Sequence, residues 1–380
     1  MEVRTIPRVL HNEVVLLVAL SVAAFGVFVF TRHMSAREQR LEARIAAIWY
    51  ERGEQFIAAG DVEKAIQAFR RATADSHDNQ KYMLALANAL TLGHHDAEAQ
   101  QLLLQLRESD PEDAEINISL ARLAAKHGDT DEAVHYYQNA LYGRWSGDHV
   151  DEQRGQLRKE LIHFLLRRQQ RELAASELLI LEAGLPDSAA SHVEIAKLFV
   201  DAGDLQHALK NYSEAAQRDN HNLEAQAGAG EISFQLGNYA GAIPYLKAAL
   251  ELDPQSQKTR PLLETAELVL AEDPLASHLS PQERQDRILA DLDRSLKRLD
   301  SCPEPASSNQ ASSEMQSLKA EALALQPKLN SRKHPPDSDA AKSALGLIYR
   351  MQKASAHCGE PAAADQALLL IGRQHNGVRP

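Results

Sequence analysis

The sequence contains little cysteine and no surplus of positive charge. Cys302 and Cys358 are its two cysteines, they lie 56 residues apart, and neither belongs to a C-x-x-C motif. A structural zinc site, a covalently attached haem and a thioredoxin-type dithiol all need closely spaced ligands, so this spacing argues against each of them. The formal charge of −12 argues against nucleic acid as a partner, because phosphate binding needs a basic surface.

Aromatic residues and catalytic motifs are also scarce. Aromatics make up 5% of the chain, whereas Ala, Leu, Glu and Gln are abundant, as is typical of stacked helices and not of barrels or sandwiches. The sequence has no G-x-G-x-x-G, P-loop, H-E-x-x-H or G-x-S-x-G motif. We therefore predict an all-α protein without catalytic activity, cofactor or metal site.

One apolar run is long enough to cross a membrane. Residues 14–30 carry no charge and as a helix would span about 25 Å. A cleavable secretory signal is the alternative, since residues 21–23 form a small-x-small site. The apolar run continues to Phe30, however, so cleavage would leave an apolar tail. We predict an N-terminal tail at 1–13, a transmembrane anchor at 14–30 and a helical linker at 31–45.

The next part of the chain is repetitive. A pattern of a glycine, a small residue, a larger residue and a second small residue begins at Gly60 in the segment GDVEKAIQAFRRA. Its spacing recurs every 34 residues, except that the step between the third and fourth units is 41. The second and fourth units have no glycine at the first position, and their last position is Leu106 and Leu181. The first small residue is Ala65, Ala99, Ala133, Ala174, Ala208 and Ala242, and the larger residue is Phe69, Leu103, Tyr137, Leu178, Tyr212 and Leu246.

These six segments resemble tetratricopeptide (TPR) repeats over residues 46–256. In such repeats alanine lies where two helices cross closely, the larger residue fills the gap between repeats, and glycine ends the first helix. The resemblance implies an α-solenoid that binds a protein or peptide. The fourth unit departs from the pattern, because it lacks the closing glycine and follows about seven extra residues at 143–150. We expect a longer loop or an extra helical turn there; the alternative is that Trp145 projects as an added contact.

The resemblance also implies which side chains line the binding groove, namely the fifth and ninth residues of each first helix. The candidate groove residues are Tyr50, Glu54, Asn88, Arg122, Lys159, His163, Lys197 and Glu231. Basic residues occupy the middle of this set, which favours a partner with an acidic segment. The alternative is that helix faces in contact with water carry charges without any partner.

The last third of the chain loses the repeat. We predict capping helices at 257–300, with a capping box at Ser280, and a C-terminal helical extension with polar linkers at 301–380. Helices are expected near residues 259–271, 281–300, 314–325, 340–356 and 361–374. The polar linkers are expected near 303–313 and 331–339.

Both cysteines follow a helical segment and precede a helix-breaking residue. If the two helix ends meet, Cys302 and Cys358 form a disulfide; the alternative is two buried free thiols. A disulfide needs an oxidising compartment, so it would place the solenoid outside the cytoplasm, in the periplasm or its equivalent. The arginines that follow the anchor favour the cytoplasm instead by the positive-inside rule. They are Arg32, Arg37, Arg40 and Arg44.

The sequence thus predicts a single-pass, membrane-anchored scaffold. It is similar to membrane-anchored bacterial TPR proteins that assist assembly at the cell envelope. A cytoplasm-facing adaptor at the inner membrane is one alternative. A non-catalytic subunit of a redox or cytochrome-assembly complex is another.

Overall fold

The computed structural model describes residues 8–302, 309–330, 338–356 and 358–375, and within them the predicted all-α fold is confirmed. The helices that precede residue 257 are α1 (Arg8–Ala58), α2 (Val62–Asp75), α3 (Gln80–Leu92), α4 (Asp96–Ser109), α5 (Ala114–His127), α6 (Thr130–Tyr142), α7 (Val150–Arg167), α8 (Arg171–Gly184), α9 (Ala189–Ala202), α10 (Leu205–Arg218), α11 (Leu223–Gln235) and α12 (Tyr239–Leu252). They are followed by α13 (Thr259–Glu272), α14 (Pro281–Asp300), α15 (Asn309–Leu329), α16 (Ser338–Ala354) and α17 (Ala363–His375).

The chain forms two compact units that divide inside α7. Unit 1 comprises residues 1–164 and unit 2 comprises residues 165–380. The division lies within the predicted repeat region, so each unit contains a run of repeats of its own. Residues 1–7 of the predicted tail, and residues 303–308 and 331–337 of the predicted polar linkers, lie outside the described residues.

Helix α1 continues through the predicted anchor, the predicted linker and the first helix of the first repeat without interruption. Its stretch Leu16–Met34 has a mean hydropathy of 1.8 and none of it is buried. At 19 residues this stretch is about 28 Å long, which matches the hydrocarbon thickness of a bilayer. By length and composition it is therefore a candidate membrane anchor or signal sequence.

The core of the repeats is built from the residues that the period selects. All six alanines of the pattern have 0% exposure, because the paired helices cross at these positions and leave no room for a larger side chain. The larger residues are buried as well, and they span the gap to the next helix. They are Phe69, Leu103, Tyr137, Leu178, Tyr212 and Leu246.

A left-handed residue ends the first helix in all six repeats. Four of these positions are glycines with φ between 76° and 84°: Gly60, Gly128, Gly203 and Gly237. The equivalent positions in the second and fourth repeats are His94 and Gln169, with φ of 61° and 59°. The fourth repeat therefore keeps the turn geometry although it lacks the glycine, at the cost of a conformation that residues with a Cβ avoid.

The extra residues before the fourth repeat lengthen both the loop and the helix after it. The loop runs from 143 to 149, and α7 has 18 residues where α5 has 14. Trp145 is half-buried and its Nε1 donates a hydrogen bond to the Ala140 carbonyl at 2.8 Å. Arg144 is ion-paired with Asp110. The loop is thus bound to its own unit, and Trp145 does not project from it.

Helices α12 to α17 share one hydrophobic core at the end of unit 2. The capping box at Ser280 is present, and the apolar residues that follow it on α14 are buried. They pack with Val269 of α13, Leu345 of α16 and Leu368 of α17. The last helices are therefore folded against the sixth repeat as a single cluster. The predicted helix at 314–325 is longer in the structure and spans Asn309–Leu329.

Candidate peptide-binding surface

Successive first helices contact each other within each unit. Helix α3 contacts α5 in unit 1, and in unit 2 α9 contacts α11, which in turn contacts α13. The predicted groove residues lie on these helices. We call Tyr50, Glu54, Asn88, Arg122, Lys159 and His163 the first-helix surface of unit 1, and Lys197 and Glu231 the first-helix surface of unit 2.

Aromatic stacking links the first two repeats. The rings of Tyr50 and Tyr82 are stacked with centroids 5.0 Å apart, and the Lys81 ammonium lies 4.7 Å from the Tyr50 ring. Burial, and then the carboxylate of Glu54, raises the pKa of Tyr50. The ring of Tyr50 is therefore partly covered by Tyr82 and Lys81, while Glu54 is exposed.

Polar contacts link the second, third and fourth repeats. Asn88 accepts a hydrogen bond from the Ser119 hydroxyl at 2.8 Å. Glu160 receives a bidentate hydrogen bond from Arg122, at 2.9 and 2.7 Å, and a third hydrogen bond from the Tyr137 hydroxyl at 2.8 Å. The bond to Glu160 raises the pKa of Arg122, so this cation is neutralised within the surface.

The two remaining residues of unit 1 lie on α7. Lys159 is half-buried and His163 is exposed. They are four residues apart, which places them on the same face of the helix.

In unit 2 each of the predicted groove residues is ion-paired with the next first helix. Lys197 lies 2.6 Å from Glu224 of α11, and Glu231 lies 2.6 Å from Lys258, just before α13. The lysines are at least half exposed, so these pairs contribute little to stability and are free to exchange with a ligand.

A cavity of about 330 Å³ lies between these two ion pairs. Its wall includes Glu224, Ala227, Gly228 and Glu231 of α11, and its base includes Tyr212. Burial, and then the carboxylates of Glu224 and Glu231, raises the pKa of Tyr212 to about 12. The sequence-based prediction missed Tyr212 and Gly228. A comparison of equivalent positions in the six repeats would have revealed them, because Gly228 stands where Glu160 stands in the fourth repeat.

The two cysteines lie later in the sequence of unit 2 than the residues that line this cavity. In the structure Cys302 and Cys358 are joined by a disulfide, with their Cα atoms 4.9 Å apart. Arg298 lies one turn before Cys302 and forms an ion pair with Asp365 at 3.0 Å. Within the described residues no group of three His, Cys, Asp or Glu side chains is arranged to hold a metal ion.

Family models for the tetratricopeptide repeat match residues 56–123 and 193–257. No curated protein sequence matches the chain.

Three solved structures are similar in fold. YrrB, described as a TPR protein with an unusual peptide-binding site, is 18% identical over 53% of this chain and 98% of its own, with a TM-score of 0.38. The Pseudomonas aeruginosa protein pilF is 16% identical over 58% and 96%, with a TM-score of 0.38. PilW, a type IV pilus biogenesis factor, is 20% identical over 59% and 98%, with a TM-score of 0.37.

Proposed function

The chain is a tetratricopeptide-repeat protein, and we propose that it is a non-catalytic, membrane-anchored scaffold that binds a protein or peptide along its first helices. The observation that carries this proposal is the set of contacts between successive first helices. The side chains of Arg122 and Lys197 on these helices are at least half exposed, and in unit 2 the surface ion pairs border a cavity. Such a surface offers hydrogen-bonding groups at regular intervals to an extended polypeptide.

Site-specific photo-crosslinking in intact cells tests the proposal. A photoreactive amino acid replaces Arg122 or Lys197 on first helices, and in matched controls it replaces Glu108 or Glu251, which are exposed on second helices. We expect a crosslinked partner from the first-helix positions and none from the controls. Equal crosslinking from both sets, or none from the first helices, would contradict the proposed surface.

The membrane anchor is supported by the exposed apolar stretch Leu16–Met34. Nothing in unit 1 covers this stretch among the described residues, and its apolar side chains would be costly to leave in water. We expect the protein to stay in the membrane fraction after carbonate extraction, and its intact mass to include the whole of α1. A mass that begins after residues 21–23 would indicate a cleaved signal instead.

The side of the membrane follows from the redox state of Cys302 and Cys358 in the cell. We propose that the disulfide forms outside the cytoplasm, where the protein would assist envelope assembly. Acid trapping followed by alkylation should recover the two cysteines as one linked peptide. Two freely alkylated thiols would favour the cytoplasm-facing adaptor, and crosslinks to redox or cytochrome-assembly proteins would favour the third alternative.

An acidic segment in the partner stays a prediction for unit 1. Arg122 and Lys197 already have carboxylate partners, which weakens the prediction for the whole surface. Lys159 and His163 lie one helical turn apart on α7, which places two basic side chains on one face of that helix. The sequence of the crosslinked partner decides this point, because an acidic run should be found at the adduct of unit 1.

A further inference from the structure

The cavity of unit 2 exists because the sixth repeat has the smallest side chains at two surface positions. The fifth residue of its first helix is Ala227, where the other repeats have larger residues. The sixth residue is Gly228, and a Cβ there would lie 2.6 Å from Cε1 of the Tyr212 ring. The ring therefore packs directly on the α11 backbone, and the space above it stays open as the cavity of about 330 Å³.

The hydroxyl of Tyr212 is left without a hydrogen bond by this arrangement. Tyr137 occupies the equivalent position in the third repeat, and its hydroxyl donates to Glu160 at 2.8 Å. In the sixth repeat Gly228 replaces that glutamate, and Tyr212 has no hydrogen-bond partner in the described part of the chain. Only 7% of Tyr212 is exposed, and it lines the cavity. The hydroxyl oxygen reaches the open space of the cavity, so a ligand that enters the cavity can form a hydrogen bond with it.

The charges around the cavity select the sign of that ligand. The lining contains three carboxylates, from Glu224, Glu231 and Asp253, against the single ammonium of Lys258. This field favours a cation and opposes a carboxylate. A cationic head group would donate to the lone pairs of Tyr212 and to the carboxylates, in exchange for the exposed lysines that now pair with Glu224 and Glu231.

The walls of the cavity suit the aliphatic part of a side chain that ends in such a cationic head group. Leu223, Leu246 and Leu262 provide aliphatic contacts on three helices, α11, α12 and α13. Lysine and arginine combine an apolar stem with a charged head, which matches aliphatic walls below acidic groups.

We propose that this cavity binds the lysine or arginine side chain of the polypeptide that occupies the first-helix surface. The inference rests on the proposed function and names the side chain that unit 2 recognises. It also predicts that the partner carries a basic residue next to the segment that crosslinks to Lys197.

Short peptides provide the test, because they need no knowledge of the partner. The probe is acetyl-Ala-Ala-Arg-Ala-Ala-amide, and the matched controls replace arginine by citrulline, its neutral isostere, or by glutamate. The full-length protein in detergent is labelled with ¹³C at the tyrosine ring, and Tyr212→Phe assigns the Tyr212 signal. We expect a saturable shift of that signal with the arginine peptide, and affinities at least about tenfold lower with citrulline and glutamate.

Two pairs of variants localise the binding. Ala227→Leu fills the cavity and should abolish the shift, whereas Ala240→Leu makes the same change at an exposed site of α12 and should not. Glu231→Gln should weaken binding about three- to tenfold, while Glu264→Gln, exposed on α13, should leave it unchanged. Circular dichroism confirms that each variant is folded.

The inference is wrong if citrulline or glutamate peptides bind as well as the arginine peptide, or if the arginine peptide causes no saturable shift at millimolar concentration. Crosslinking from Lys197 together with such a result would overturn the cavity assignment alone. A saturable arginine shift without any first-helix crosslink would instead overturn the proposed function and leave the cavity as a small-ligand site.

Discussion

The repeats and the C-terminal helices place their charged side chains in opposite environments. In the repeats the pairs between first helices lie at the surface, and the side chains of Arg122 and Lys197 are 59% and 50% exposed. At the C-terminal end the pair between Arg298 and Asp365 is almost enclosed, with exposures of 11% and 8%. Surface pairs contribute about 0–1 kcal/mol, whereas breaking a buried pair is severely destabilising.

The two regions also differ in the sequence range of their contacts. The hydrogen bond from Arg122 to Glu160 joins residues 38 positions apart, on adjacent repeats. Arg298 bonds to residues 57 and 67 positions away, and His375 contacts Asp273 across 102 positions. A repeat depends on its immediate neighbours, while the C-terminal cluster needs distant parts of the chain at once. The repeats should therefore tolerate surface changes that the C-terminal cluster does not.

The largest expected effect comes from breaking the buried pair. Arg298→Ala leaves Asp365 buried without a cation, so we expect a loss of about 3–5 kcal/mol in the free energy of unfolding. Arg350→Ala is the control, because the pair of Arg350 with Glu321 is about half exposed and should contribute at most about 1 kcal/mol. Urea unfolding followed by circular dichroism measures both. Equal losses would remove the contrast between buried and exposed pairs.

Opening the disulfide should have an effect of similar size. It closes a loop of 56 residues, and the chain-entropy model assigns such a loop about 4 kcal/mol. The replacement of both cysteines by alanine should lower the stability of unit 2 by this amount. Both tryptophans, Trp49 and Trp145, belong to unit 1, so the tryptophan fluorescence transition should not move. A reducing agent should affect the wild type and not the double variant.

A change inside a repeat should be intermediate in size. A Cβ on Gly53 would lie 2.4 Å from Cε1 of Phe69, so Gly53→Ala should overpack the first repeat and cost about 1–3 kcal/mol. Tryptophan fluorescence reports this loss because Trp49 lies on the same helix. Gly155→Ala is the control, since its added Cβ meets no atom within 4 Å apart from its chain neighbours and the backbone of its own helix, and the change should stabilise α7 by up to about 1 kcal/mol.

The pH dependence of stability should also distinguish the two regions. Burial raises the pKa of Asp291 to about 7, against the attraction of Arg294, whose Nη1 lies 3.5 Å away. The folded state then holds a proton that the unfolded state releases above about pH 4. Stability should therefore fall by about 1.4 kcal/mol per unit as pH rises from about 4 to 7. Asp291→Asn should abolish this fall, and Asp293→Asn should not, because Asp293 is half exposed on the same helix and paired with Lys297.

The smallest expected effect is a gain in the second repeat. His94 holds a φ of 61°, which glycine adopts at the equivalent position of four other repeats. His94→Gly should therefore raise the free energy of unfolding by up to about 1 kcal/mol. His95→Gly is the control, because His95 has a φ of −88° and gains nothing from glycine. No difference between the two would mean that the left-handed turn is not strained.

The repeat core is predictable from sequence because its contacts recur at a fixed spacing. Ala65 and Phe69 identify the crossing point and the gap filler in one repeat, and the period then predicts the rest. The pairing of polar side chains is less accessible. The sequence places Arg122 and Glu160 on neighbouring first helices, but whether their side chains meet depends on rotamers and on the third partner, Tyr137.

In the C-terminal cluster the helices can be predicted from the sequence, but the way they pack together cannot. Its helices are predictable from apolar spacing and from the capping box at Ser280. Their packing has no period to indicate it, because Arg298 and Asp365 come from helices that are far apart in sequence. The cavity was missed for a different reason. It arises from two small residues, Ala227 and Gly228, at positions where other repeats carry larger side chains, and the predicted groove took in only the fifth and ninth residues of each first helix.

Helix α1 has a mechanical consequence for the whole of unit 1. It runs from Arg8 to Ala58 without a proline, and the described side chains between Met34 and the first buried residue, Ala46, are exposed. As an anchor it would act as a rigid post, not as a flexible tether. About 16 Å of helix would separate the bilayer from the first repeat. The length of this helix would hold the first-helix surface of unit 1 at a fixed height above the membrane. The rotation of the anchor about its own axis would determine the direction, parallel to the membrane, in which that surface faces.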